Sequence, residues 1–408
     1  MHRDLAQSRR FILTLGFLTA VAALTVDLSL PAIPVMVDAL QTSLPKSQQI
    51  VGIFMLGMAL GQIPSGLIAD RFGRLPALYL GMAVFAVAAC VVAAATEIRL
   101  LLAARFVQGF GAAAAIVVSR AVVRDITAGK DAARLMSLLT MIFTAAPVIA
   151  PTIGALLVST WGWRAPFIAI AICGFVLLYT IRQNLVETHT PDASQNPLQQ
   201  LGSSIGGFFS HRQSIFGLLM LVLLPAGFMS VIAVSAAMVV EIYGYSITQY
   251  GFIFACAGLS ILLGSLANRL MVMRLNVLQL VTVGVVLIAA SSAQLLIIAW
   301  IGTAPFWWVW SAVCLYMFTV AILMSNATVI ALDPLPSIAG VASSIIGTSQ
   351  NAFGALGAIL GATIYDGTVA NSVIIMAVSG TVTTLIFLLR PLIAPGPMVH
   401  HPEELARD

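Results

Sequence analysis

The chain has 408 residues, 60% of them hydrophobic and only 8% Asp, Glu, Lys or Arg, with a net charge of +4. A water-soluble domain carries about 25% charged residues. This composition therefore excludes an ordinary water-facing surface and points to lipid as the solvent.

A helix needs roughly 20 apolar residues to cross the hydrocarbon core. Charge-poor stretches of that length are predicted at 11–34, 48–69, 76–95, 98–121, 134–158, 164–183, 213–237, 249–268, 276–299, 306–331, 339–364 and 371–393. The first is longer than a secretory apolar region, and no small-residue cleavage site follows it, so it reads as a membrane span. The spans at 249–268 and 339–364 are rich in Gly and Ser, which suit close helix packing in membranes. Between the sixth and seventh spans lies the longest polar stretch, with Glu187, His189, Pro191, Asp192 and Pro197. It reads as a linker over 184–212 between six-helix bundles at 1–183 and 213–408.

A repeat supports this division. The second span ends Gly66-Leu67-Ile68-Ala69-Asp70-Arg71, and the eighth ends Gly264-Ser265-Leu266-Ala267-Asn268-Arg269. Gly, Ala and Arg stand in register, with Asn268 in place of Asp70. Transporters are commonly built from such repeats, with substrate held near the midplane between them.

Basic residues set the expected orientation. All but four of the nineteen Lys and Arg fall on the side of the N-terminus, the exceptions being Lys46, Arg99, Arg164 and the in-span Arg105. Both termini and the linker are therefore expected in the cytoplasm. The positive charge then reports orientation, not a nucleic-acid partner. Trp161, Trp163, Trp300, Trp307, Trp308 and Trp310 fall at outer-face ends, where interfacial anchors sit. Cys90, Cys173, Cys256 and Cys314 lie in spans without paired spacing and read as small apolar residues. No His lies in a span, so no metal site is expected. No phosphate-binding loop or dinucleotide fingerprint occurs. No cofactor is expected, and ATP bound to this chain is excluded as the energy source.

The loop after span two, Gly66-Leu67-Ile68-Ala69-Asp70-Arg71-Phe72-Gly73-Arg74, resembles the G-x-x-x-D-R-x-G-R signature of the major facilitator superfamily. In span four, Arg105-Phe106-Val107-Gln108-Gly109-Phe110-Gly111-Ala112 resembles the R-x-x-Q-G-x-G-A motif of its drug/proton antiporters. Span five reads Ala146-Pro147-Val148-Ile149-Ala150-Pro151-Thr152-Ile153-Gly154-Ala155. It is similar to the antiporter motif G-P-x-x-G-G, with Ala150 and Ala155 replacing two glycines. Val26 to Pro34, Arg120 to Asp125, and Asn326 through Ala342-Ser343-Ser344 to Gly347 resemble the Bcr/CflA drug-resistance branch. The resemblance implies an all-α fold of twelve transmembrane helices in two pseudo-symmetric halves. It also implies proton-driven export of small amphipathic compounds by alternating access, from a monomer in a bacterial inner membrane. An exporter of an endogenous metabolite and a sensor that has lost transport are the rival readings. A membrane enzyme is disfavoured because no nucleophile, base or metal cluster is visible.

Among the fifteen acidic residues, Asp27 alone is placed deep in a span. An ionisable group there usually faces a cavity and carries function, the alternative being a carboxylate locked to a neighbour. Helix rise puts Arg105 at a similar depth, roughly 10 Å below the outer boundary, so an ion pair or shared water network with Asp27 is possible. The resemblance implies that Arg105 helps in proton coupling. A fixed charge bonding backbone carbonyls is the plainer reading.

In the family, Asp70, Arg71, Gly73 and Arg74 form a cytoplasmic latch after Gly66. Asp70 is expected against the N-terminal end of span eleven near 339–342, and Arg74 can pair with Asp70 and Asp125. Pro147, Pro151 and Gly154 are expected to bend span five and let it pack closely. Gln62, Gln108, Asn326, Gln350 and Asn351 either line a substrate cavity or bond helix to helix.

Overall fold

The computed structural model describes residues 8–127, 129–189, 197–335 and 338–395; at 129–134, 137, 197–201, 203–204 and 339 only the backbone is described. The first half contains α1 (Arg9–Ser29), α2 (Ala32–Ala39), α3 (Leu44–Phe72), α4 (Arg74–Ala94), α5 (Ile98–Ile126), α6 (Gly129–Trp161) and α7 (Ala165–Asn184). A linker helix, α8 (Pro197–Ser210), follows. The second half contains α9 (Arg212–Ala237), α10 (Ile247–Met271), α11 (Val277–Ile301), α12 (Phe306–Leu332), α13 (Ala339–Ile364) and α14 (Val369–Leu388), closed by the short α15 (Arg390–Ile393).

Among the described residues, eleven helices are long and apolar enough to cross a membrane. Leu60, Leu80, Ile172, Phe175 and Trp300 stand exposed on their flanks, as contact with lipid requires. The twelfth long helix, α13, falls outside that set because Gln350, Asn351 and its Gly and Ser residues dilute its apolar character. Its placement supplies the reason: α13 lies between α3 and α9 and is largely shielded by protein.

Two expectations change here. The stretch 11–34 is not one helix, because the chain breaks at Leu30-Pro31 and restarts as α2. Pro31 has no N–H to return to the carbonyl of Asp27 four residues back, so the break falls one turn after that residue. The linker is not simply polar coil, because Pro197 opens α8. Leu198, Leu201, Ile205 and Phe208 recur at helical spacing, and Phe208 is fully buried.

Within the first half, α5 packs against α3 and α4, and α1 against α6 and α7. In the second, α9 packs on α13, α14 and α12, while α11 packs on α12 and α14. Two seams join the halves: α3 against α13, and α6 against α10. Of the six Trp, Trp163 and Trp310 are buried rather than anchored at an interface. The Trp310 Nε1–H donates to the Ile253 carbonyl at 3.0 Å, tying α12 to α10.

Candidate transport site

Asp27 lies in the last turn of α1, 5% exposed, and among the described residues its carboxylate has no hydrogen bond or ion pair. Tyr250 on α10, in the other half, lies within electrostatic reach of it. The Tyr250 hydroxyl shares a 2.8 Å hydrogen bond with Ser235 on α9. Asp27 therefore sits where a change of its charge is felt across the division between halves. Helix α1 is pinned there by α6: a Cβ added at Gly154 would lie 2.3 Å from the Leu28 carbonyl oxygen, so only glycine permits this approach.

Arg105 is fully buried on α5, but it does not pair with Asp27. Its Nη2 donates to the Ser29 hydroxyl at 3.1 Å, its Nη1 to Gln108 Oε1 at 3.0 Å, and its Nε weakly to the Ile50 carbonyl at 3.4 Å. The guanidinium also lies over the rings of Phe54 (4.8 Å) and Phe167 (5.7 Å). The fork reaches the residue two places beyond Asp27. Arg105 thus ties α1, α3 and α5 together and stacks on α7, with its charge spread over dipoles and π faces.

At the loop after α3, Gly73 has φ of +103°, a conformation other residues rarely adopt. A Cβ there would also meet Glu187 Oε2 at 2.7 Å. Glu187 is a residue the sequence reading missed. Its carboxylate accepts from the backbone N–H of Arg74 (2.8 Å) and of Leu75 (2.9 Å), capping α4. The Arg74 guanidinium bonds Asp70 and, at 2.9 Å, Asp125. Thr188 donates to Asp125 at 3.0 Å, and the His189 ring meets the Asp70 carbonyl at 3.1 Å. Arg71 is exposed and lies over Phe72. Gly66 is in open contact, its nearest would-be neighbour being Val117 at 3.7 Å.

This network closes within the first half. Among the described residues the Asp70 carboxylate bonds Arg74 and no group of α13. Arg124 occupies that place instead, its Nη1 2.6 Å from a Cβ built on Gly340. Replacing Asp70 by Asn keeps an acceptor for Arg74 but removes the exposed carboxylate's charge from a buried guanidinium that Asp125 still holds. We expect normal insertion with transport slowed several-fold in inverted vesicles. A native initial rate would remove Asp70 from the working cycle.

The α6–α10 seam accounts for one departure from the antiporter motif, Ala155. Pro151 cannot return a hydrogen bond to the Pro147 carbonyl, and that carbonyl faces Gly258 of α10. One step along, Thr152 donates to the Gly251 carbonyl across the seam at 3.1 Å. Ala155 stands opposite Gly251, so the glycine that the motif places on α6 is supplied by the partner helix. The result is a backbone-to-backbone contact of small residues, suited to sliding or rocking without loss of packing.

The candidate cavity residues divide. Asn326 donates to Asn268 Oδ1 at 2.7 Å and to the Ile322 carbonyl at 2.8 Å, so it bonds helix to helix. Asn268 is the counterpart of Asp70, and the second half thus has a neutral version of the loop contact. Gln108 is committed to Arg105. Asn351 donates to the Gly347 carbonyl of its own helix, and Gln350 is half-buried beside it. Gln62 meets Thr348 across the α3–α13 seam at 3.3 Å. Gln62 and Arg120 both approach Gly347 of α13; the sequence reading placed Arg120 in a family-like segment but gave it no role of its own.

Residues 15–358 match the family described as Major Facilitator Superfamily. The chain belongs to that superfamily. It is therefore a multi-pass membrane transporter of small molecules. Its sequence relatives include a bicyclomycin resistance protein homolog of Haemophilus influenzae, 29% identical over 85% of this chain and 87% of that one. Multidrug resistance protein D of Escherichia coli strain K12 is 28% identical over 83% and 85% of the two chains. Multidrug resistance protein MdtL of Escherichia coli O9:H4 is 28% identical over 97% and 98%. Among solved structures, a D-xylose-proton symporter superposes with a TM-score of 0.74 at 15% identity, covering 93% of this transporter and 97% of that chain. The family match takes in most of both halves and ends within α13.

Proposed function

We propose that this transporter exports small amphipathic drugs or related compounds in exchange for protons, by alternating access. The observation that carries the reading is Asp27. It is a buried carboxylate with no partner among the described residues, one turn before a helix break, beside the Gly154 contact and within reach of Tyr250 in the other half. An ionised carboxylate in a span is costly, and a proton removes that cost. Binding a proton from one side and releasing it on the other then favours a different arrangement of the halves in each state. The names of the bicyclomycin and multidrug resistance relatives support amphipathic drugs as the cargo.

The test is proton movement on addition of substrate to proteoliposomes with a set pH difference, screened over a compound panel. Compound-driven proton flux supports the exchange; transport with no accompanying proton refutes it.

The basic-residue bias supports an inner-membrane location with both termini and the linker in the cytoplasm. A Cys at Asp192, which lies outside the described residues, tests this in a variant whose four native Cys are replaced by Ala. It should resist an impermeant thiol reagent in intact cells and react in inverted vesicles. Labelling from outside the cell would reverse the orientation.

A further inference from the structure

Arg120 is a permanent cation within α5, six residues before the helix end, or roughly 9 Å along it. Among the described residues it has no hydrogen bond or ion pair. Other arginines of the first half are held in place: Arg105 by Ser29, Gln108 and two rings, Arg74 by two carboxylates, and Arg164 by the Ala95 carbonyl and the Trp163 face. Arg120 is exposed, with Gly347 of α13 in the other half beside its guanidinium.

Its surroundings are polar and positive. The Arg120 Nη1 lies 3.7 Å from a Cβ built on Gly347 of α13, and Gln62 Oε1 lies 3.1 Å from the same point. The Thr348 hydroxyl meets that Gln62 oxygen. One turn along α5, Arg124 lies over Gly340. Gly340 and Gly347 are two helical turns apart, each beside one guanidinium, and the missing side chains leave the room those groups occupy. The closest carboxylate in sequence, Asp125, is taken by Arg74 and Thr188. Two cations, an amide and a hydroxyl therefore share the α3–α5–α13 junction, and among the described residues no carboxylate bonds either cation, a potential that concentrates anions.

We propose that Arg120 binds an anionic group, a carboxylate or its equivalent, on the transported compound, with Gln62 and Thr348 beside it and Arg124 reinforcing the field. The proposal rests on the export reading above and names its cargo as amphipathic anions. Asp27 stands about 27 Å along α1 from the loop end, whereas Arg120 is close to that end. The cargo's charge and the proton thus occupy different depths, and one does not compete with the other for a single group.

The test uses dansylglycine and its primary amide, which share an apolar body and differ in one negative charge. Fluorescence titration of the purified full chain in neutral detergent should show the acid binding about tenfold or more tighter than the amide, as a charge-assisted contact implies. In Arg120→Gln the ratio should fall to about one, while Arg120→Lys should keep part of the preference. Equal affinities in the native protein, no binding of the acid, or a preference that survives in Arg120→Gln overturns the proposal. Displacement of the acid by phosphatidylglycerol but not by phosphatidylcholine also overturns it, by assigning the cation to a lipid headgroup. Proton flux driven by a neutral drug reports separately on export, so an anion site that fails leaves that reading standing or falling on its own measurement.

Discussion

Asp27→Asn is expected to abolish substrate-driven proton flux in proteoliposomes while leaving a folded, inserted protein. The substitution is close in shape and mimics the permanently protonated carboxyl. Asp27 makes no hydrogen bond or ion pair among the described residues, so no partner is stranded by the change. Binding of a neutral compound and downhill exchange should survive, because neither needs a titrating group. Uphill export should fall to background, because no other carboxylate lies at that depth. Full proton coupling in the variant would transfer the role to a carboxylate at a span end, with Glu241 and Asp333 as the candidates.

Gly154→Leu should be nearly as damaging, for a steric reason. The Leu28 carbonyl oxygen, carbon and Cα all lie within about a van der Waals contact of the missing Cβ, and backbone cannot step aside as a side chain can. Overpacking at such a site costs about 1–3 kcal/mol, and here it must part α1 from α6 beside the proposed proton carrier. Export should drop at least about tenfold, with a lower unfolding temperature in detergent. Gly202→Ala, on the linker helix with nothing within 4 Å, is the matched control and should transport at the native rate. A Gly154→Leu protein with native rate and stability would show that the close approach is not needed.

Hydropathy places the spanning helices well because lipid imposes one rule along the whole chain: every backbone group must be satisfied within its segment. The signal weakens where the segment is shielded by protein: α13 is short of apolar residues, yet its charge-poor length over 339–364 still marks it. The break after Leu30 was written in Pro31 and Pro34, but a length criterion runs through a proline that packing later exploits. The loop signature carries Arg74 and its two carboxylates in plain sight. Glu187 escapes because its role depends on a fold that returns residue 187 to residue 74, across more than a hundred positions of chain. Arg105 and Arg120 show the same limit from opposite sides. Depth along a helix is legible, whereas the azimuth that sends one guanidinium to Ser29 and the other to an open junction is set by neighbours from distant sequence.

The solitary state of Asp27 has an electrical consequence. A carboxylate without a counter-ion carries its charge with it when the halves rock, and the same group carries none once protonated. If Asp27 is the proton carrier, the two legs of its cycle differ by one elementary charge moved through part of the membrane field. A full crossing is worth about 2.3 kcal/mol per 100 mV. An inside-negative voltage drives the ionised, cargo-loaded carrier outward, to the side where it is reprotonated. Exchange should therefore run faster as the potential deepens, even with equal pH on the two sides of the bilayer.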